Sequence, residues 1–210
     1  HKEYRRQRQM CIRDRKDSKL TPRITQTAKG LWLVYAFLTL ACMLAYRLAG
    51  MNWLDACMHG LTTMGLGGFS THDESFAWFD SPAVEVVGMV FMVIAGINFA
   101  THFQLFRGGG LKVYRRDPEA WMFVGLLAGS SLMIAIFLMH GGVYDTLGTA
   151  LRHAAFNVIS VATTTGYATT DYNLWPIFAP VWMLFISSFA CCSGSTGGGI
   201  KMIRARMMLH

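Results

Sequence analysis

Two stretches of this sequence carry residue types at a spacing that could bind a bare ion. FNVISVATTTGYATTD occupies residues 156–171, and MHGLTTMGLGGFSTHD occupies residues 58–73. At an ungapped offset of 98, Gly68-Phe69-Ser70-Thr71 falls on Gly166-Tyr167-Ala168-Thr169, and Asp73 falls on Asp171. Each reads as a short amphipathic helix that runs into a glycine turn between long apolar runs. Backbone that leaves the helix at membrane depth is tolerated only if it is buried in protein or lines a watery cavity. There its carbonyl oxygens can replace the hydration shell of a cation. Glycine suits such a turn, because aiming successive carbonyls at one axis puts some residues at positive φ. Thr163, Thr164 and Thr165 add hydroxyls, and the negative C-terminal end of a half-helix favours a cation.

Other chemistries find less support. No Ser/His/Asp, Cys/His or paired-carboxylate arrangement points to catalysis. An integral-membrane enzyme holding substrate in its glycine loops would need a convergent acid, base or metal set, and the sequence offers none. His59, His72, His140 and His153 lack metal-ligand spacing. The five cysteines, Cys11, Cys42, Cys57, Cys191 and Cys192, show no CxxC pattern and are expected to be reduced and buried. GSTGGGIK superficially resembles a phosphate loop, but Ile200 separates Gly199 from Lys201 and no Ser/Thr follows the lysine.

The elements that must hold these turns are apolar helices. The chain has 210 residues, 53% hydrophobic and 15% charged, against ~25% charged in soluble domains. Leu31–Ala49 is about long enough for a bilayer core of ~30 Å, with Trp32 and Tyr46 near its ends where interfacial aromatics sit. A re-entrant half-helix follows to Thr63, with Asn52 as its cap and Asp55 in its first turn. Asp80-Ser81-Pro82 then opens one long helix to about Phe106, on which Asn98 and His102 share a face. That pair could line an inner vestibule or make an interhelical hydrogen bond. After the basic, glycine-rich connection 107–118 the pattern recurs. Trp121–Met139 spans, Asp145 to about Ala162 forms the second half-helix, and Trp175-Pro176 opens the last apolar run. Arg152 with His153 would anchor that half-helix at the interface. Ser193-Gly194-Ser195-Thr196-Gly197-Gly198-Gly199 interrupts the last run about midway through a helix, since each interior Gly costs ~1 kcal/mol relative to Ala.

Charge placement gives an orientation. With both glycine turns outside, the inside segments 1–30, 107–118 and 200–210 hold 17 of the 19 Lys and Arg residues. Net charge is +7, and the basic segments match the inside of a membrane protein rather than a nucleic-acid surface. Asp55, Asp73, Glu74, Asp80, Asp145 and Asp171 fall outside, where they would raise local cation concentration. QRQMCIRDR resembles translated sequencing-adapter read-through, so residues 1–15 are expected to be a non-native leader and 16–30 a cytoplasmic lead-in; without residues 1–15 the bias is still 11 of 13.

The turns GGFSTHD and ATTTGYATTD, together with TPRITQTAKGLWLVY, LKVYRRDPE and CCSGSTGGGIKMIR, resemble the Trk/Ktr/HKT superfamily of potassium transporters, most closely its TrkH-type branch. The resemblance covers residues 20–208. It implies an all-α, multi-pass protein of the bacterial inner membrane, built from repeats of helix, pore helix, filter loop and helix. Residues 31–106 look like the second of four repeats and 119–210 like the third, joined by the connection 107–118. It further implies K+ uptake through a filter of Leu66, Gly67, Gly68, Phe69, Thr164, Thr165, Gly166 and Tyr167. The carbonyls of Leu66, Gly67, Thr164 and Thr165 would bind the ion. The central glycine is Gly166 in one copy and Gly67 or Gly68 in the other, the ungapped alignment preferring Gly68. The loop 191–200, with Ser193 to Gly199 at its centre, would be the gate. Implied partners are membrane lipid, a second full-length chain and a cytosolic nucleotide-binding ring of the TrkA type, with K+ as cargo and no cofactor. A Na+-permeable or Ktr-type relative is the alternative. Two repeats supply half the coordination shell, so this chain alone is expected not to conduct.

Overall fold

The computed structural model describes residues 24–110, 112–202, 204 and 207. The expected leader 1–15, and the lead-in up to residue 23, lie outside the described residues.

The first repeat begins with α1, Ile24–Leu48, whose stretch Thr27–Leu48 is long and apolar enough to cross a membrane. Gly50 and Met51 turn the chain into α2, Trp53–Met64, a half-helix. Asn52 caps it as expected: its Oδ1 accepts the amide of Asp55 at 2.7 Å. A 3-10 turn over Ser75–Trp78 leads to α3, Pro82–Gly96, with proline in its first turn. The single helix expected to run to Phe106 does not exist. Ile97 is extended, Asn98 caps a new helix α4, Phe99–Gln104, and a π turn, Leu105–Gly109, ends it. The two parts of this segment meet at 94°.

After α5, Lys112–Arg116, the second repeat repeats the plan. Asp117 caps α6, Pro118–His140, the second helix long and apolar enough to cross. The half-helix α7, Leu147–Ala162, is capped by Thr146, one residue beyond the expected Asp145 start. Another 3-10 turn, Tyr172–Leu174, precedes α8, Phe178–Ser187. Helix stops there, so the break in the last apolar run opens at Ser188, ahead of the glycines rather than at them.

Two apolar cores result, one per repeat, and each borrows from the other. Phe156 and Tyr167 of the second repeat are buried in the first core, against Phe76 at ring distances of 5.0 and 4.4 Å. Ile97 of the first repeat is buried in the second core. Glycines on α3 permit this closeness. A Cβ at Gly88 would lie 3.1 Å from Phe76 and 3.2 Å from the Tyr46 hydroxyl, and one at Gly96 only 2.6 Å from Phe123. Tyr46 is therefore not an interfacial anchor. It is fully buried, with its hydroxyl 2.9 Å from Thr63 Oγ1.

Arg152 corrects another expectation. Instead of reaching for an interface, it crosses from α7 to α3 and donates to both oxygens of Glu85, at 2.8 and 2.7 Å, and to Asp80 at 3.0 Å. Glu85 is 2% exposed. Buried carboxylates persist when paired and hydrogen-bonded, so this contact fixes the second half-helix against the first repeat. His153 turns instead to Tyr144, stacked at 5.4 Å, and to Thr169.

Candidate functional site: two matched loops above an irregular plug

The loops that follow the half-helices have the same backbone. Leu66 and Thr164 have φ of 50° and 62°, and Gly68 and Gly166 have φ of 68° and 92°. The hydrogen bonds match at the same offset of 98. Leu66 N donates to Thr63 O and Gly67 N to Thr62 O, while Thr164 N donates to Val161 O and Thr165 N to Ser160 O. Gly68 is thus the conformational counterpart of Gly166, the pairing that the ungapped alignment prefers.

One hydroxyl in each half-helix anchors its loop. Thr62 Oγ1 donates to Phe69 O at 3.0 Å, and Ser160 Oγ donates to Tyr167 O at 2.7 Å. Those two carbonyls are therefore occupied. By contrast, among the described residues no hydrogen bond reaches the carbonyls of Leu66, Gly67, Thr164 or Thr165. These four carbonyls follow directly on the C-terminal ends of the half-helices, with Leu66 and Thr165 buried, Thr164 half-buried and Gly67 exposed.

A second pair of matched anchors lies at the outer ends of the loops. Thr71 Oγ1 donates to Asp55 Oδ1 at 2.5 Å, and Asp55 Oδ2 also takes Asn52 at 2.8 Å and His72 at 3.3 Å. Burial would raise the Asp55 carboxyl, but the bonds from Thr71 and His72 outweigh it and hold it below the usual range. The equivalent positions in the second repeat are His153 and Thr169, 3.2 Å apart. His59 holds Ser70 at 3.0 Å, and its counterpart Asn157 holds Thr169, one residue further along the second loop, at 3.0 Å. Different residue types thus anchor the outer end of each loop to its own half-helix.

The loops meet each other. A Cβ at Gly68 would lie 1.9 Å from Thr165 O. The Tyr167 ring is buried between the repeats, with its hydroxyl 2.5 Å from Thr62 Oγ1, 3.3 Å from Thr63 Oγ1 and 3.4 Å from His59 O. Its counterpart Phe69 is 75% exposed.

Residues 188–201 fold into an irregular plug that touches both half-helices. Thr196 Oγ1 donates to Met64 O at 3.0 Å and to Ala95 O at 3.3 Å, and Cys191 Sγ approaches Ala162 O at 3.8 Å. Met64 and Ala162 are equivalent positions, the last residues of α2 and α7. Gly198 N donates to Thr164 Oγ1 at 2.8 Å, Ser193 N to Glu119 at 2.7 Å, and Lys201 Nζ to Gly197 O.

A family profile described as "TrkH: Cation transport protein" matches residues 2–209. The chain belongs to the TrkH family. It is 48% identical over 195 residues to the "Trk system potassium uptake protein TrkH" of Halomonas elongata, covering 92% of this chain and 40% of that one. The protein of the same name from Escherichia coli K12 is 44% identical over 193 residues, with the same coverage. The crystal structure of "the Potassium Transporter TrkH from Vibrio parahaemolyticus" matches with a TM-score of 0.86 at 42% identity, over 91% of this chain and 42% of that one. The chain thus spans about 40% of the length of these TrkH relatives. The all-helical double repeat expected from sequence is the fold found, and it is that of a membrane transporter family.

Within this TrkH frame the structure brings Leu66 to Phe69 and Thr164 to Tyr167 together, and lays Ser193 to Gly199 against them. Asn98 and His102 do not form a shared face. Asn98 is a cap, and buried His102 bonds Ile94 O at 2.9 Å and Tyr114 at 2.5 Å, the interhelical alternative. Sequence reading missed Glu85 as partner of Arg152, and Tyr167 as a strut between repeats. A lone glutamate in the first turn of an apolar helix was the available signal for the first. Cys42, Cys57, Cys191 and Cys192 are free thiols.

Proposed function

We propose that this chain forms two walls of a potassium pathway across the bacterial inner membrane, with backbone carbonyls selecting the ion. The observation that carries the reading is the pair of matched loops with unpaired carbonyls at Leu66, Gly67, Thr164 and Thr165. Each stands beyond the C-terminal end of a half-helix, where the partial negative charge favours a cation. The relatives' names, potassium uptake proteins of the Trk system, agree with this chemistry. The protein acts as a transporter rather than an enzyme.

The plug 191–200 is the gate in this reading. It closes the inner side by hydrogen-bonding the carbonyls of Met64 and Ala95, which water or a passing ion would otherwise meet. Complete function requires the remaining repeats of a full-length chain, a homodimer of such chains, and a cytosolic nucleotide-binding ring of the TrkA type that moves the plug. This chain expressed alone conducts nothing. The test is ion flux through the full-length parent protein carrying Gly166→Ser. Placing a side chain at φ 92° distorts the loop and should lower K+/Na+ selectivity. Unchanged selectivity overturns the filter assignment.

A further inference from the structure

At the inner end of the first repeat, the 94° bend throws α4 back against α1 and leaves two adjoining hollows. One, of about 780 Å³, is lined by Thr101, Phe103, Gln104, Arg107, Lys112 and Asp117, among others. The other, about 320 Å³, is a groove between Gly30, Leu33, Val34 and Phe37 of α1 and Phe103 and Phe106 of the bent segment. Phe103 and Arg107 line both, so a polar chamber opens directly into an apolar furrow. Gly30 makes the furrow possible, since a Cβ there would lie 2.3 Å from the Phe103 ring. The Phe37 and Phe106 rings meet edge-on at 5.3 Å.

The charges in the chamber are unbalanced. The Asp117 carboxylate is already engaged, taking Thr101 Oγ1 at 2.8 Å and the amides of Glu119 and Ala120 at 3.1 and 3.3 Å. Arg107 and Lys112 make no ion pair among the described residues. Arg107 lies over the Phe103 ring at 5.4 Å, at the junction of chamber and furrow. The outer wall of the furrow, Leu33 and Phe37, is 62% and 57% exposed on a helix long enough to cross a membrane. Lys29 and Trp32 line a third hollow that shares Leu33.

We propose that this is a seat for an anionic phospholipid of the cytoplasmic leaflet. Its phosphate lies between Arg107 and Lys112, and one acyl chain lies along Leu33, Phe37, Phe103 and Phe106. Two unpaired cations at the inner end of a span are the arrangement that anionic headgroups recognise. The furrow distinguishes a lipid from a soluble phosphate, which has no use for an apolar channel. The apolar wall argues against a cytosolic protein, because it runs along a helix long and apolar enough to cross a membrane. The seat does not depend on the ion pathway.

The test uses the full-length parent protein in detergent, with native mass spectrometry reading retained dioleoyl phosphatidylglycerol against dioleoyl phosphatidylcholine. The wild type should retain the glycerol lipid preferentially. Arg107→Gln with Lys112→Gln should weaken its retention by roughly 5-fold for each cation removed. Arg107→Lys with Lys112→Arg should preserve it and shows that the double variant has lost charge rather than fold. Leu33→Trp, which fills the furrow, should reduce retention of both lipids. Equal retention of the two lipids by the wild type, retention unchanged in the glutamine variant, or displacement by millimolar inorganic phosphate would each overturn the proposal. So would a wild type that holds neither lipid because another part of the full-length chain covers the furrow.

Discussion

The hydroxyl of Tyr167 lies 2.5 Å from Thr62 Oγ1, so the second loop is tied to the first half-helix rather than to its own. Thr62 at the same time holds its own loop through Phe69 O. One threonine therefore sets the position of both loops, and the Tyr167 ring fills the space between them.

Ring and hydroxyl of Tyr167 make separable contributions. Removing a hydrogen-bonded hydroxyl costs about 1 kcal/mol, whereas emptying a core aromatic site costs ~3–5 kcal/mol. Thermal melting of the full-length parent should therefore show a small loss for Tyr167→Phe and a several-fold larger one for Tyr167→Ala. Phe69 occupies the equivalent position but is exposed in this chain. If a preceding repeat receives it as the first repeat receives Tyr167, Phe69→Ala destabilises the full-length parent while leaving this chain unaffected. Equal effects in the two contexts would mean that the Phe69 side stays open.

Arg152 and Glu85 form the buried charge contact between repeats. Removing one partner strands the other's charge, at a cost of ~3–5 kcal/mol, while replacing both with apolar residues is often neutral. Arg152→Met should sharply lower the melting temperature of the full-length parent, and Arg152→Met with Glu85→Leu should recover most of it. A double variant no better than the single would mean that the loss does not come from the stranded Glu85 charge. Asp80, being exposed, should matter less, and Asp80→Asn should shift melting only slightly.

The 98-residue offset made the loop geometry readable in advance, because matched sequence positions carry matched φ angles and matched hydrogen bonds. The cap at Asn52 and the proline at the start of α3 are local signals and were equally legible. The bend after Gly96 was not. Its stretch, MVIAGINFATHFQLF, is apolar enough to read as one helix, and Asn98 reads as a helical residue until its neighbours are known. The partners that open it come from almost a hundred residues away. Cys192 N donates to Gly96 O at 3.1 Å, Thr196 to Ala95 O, and Phe99 N to Gly194 O at 3.1 Å. The plug replaces the helix's own hydrogen bonds, which no local propensity encodes. Tyr46 and Arg152 were misplaced for a related reason: each looks interfacial until a facing glycine or carboxylate on α3 is brought against it.

The register of the first loop can be tested by substitution. Gly68 combines a φ of 68° with a Cβ position 1.9 Å from Thr165 O, so Gly68→Ala cannot be accommodated without moving a loop. Gly67 lacks a positive φ, and its Cβ would meet nothing closer than the Phe69 ring at 3.4 Å. A full-length parent carrying Gly67→Ala should support growth of a potassium-uptake-deficient strain at limiting K+, and one carrying Gly68→Ala should fail. The reverse pattern would place the central glycine at position 67.

Thr196 is the most direct handle on the plug. Its hydroxyl donates to Met64 O at 3.0 Å and Ala95 O at 3.3 Å, joining the end of the first half-helix to the rim of the bend. Thr196→Val keeps the shape and branching but removes the donor, which weakens the closed arrangement by roughly 1 kcal/mol. A loss of that size shifts a closed-to-open equilibrium about five-fold. Rubidium uptake into vesicles holding the full-length parent alone should rise by about that factor. Selectivity over Na+ should stay unchanged, because the carbonyls of Leu66 to Gly68 and Thr164 to Gly166 are untouched. Flux that stays at the wild-type level would show that residues 191–200 brace the half-helices without gating the path. A fall in selectivity with no rise in flux would instead make Thr196 a support for the loops above it.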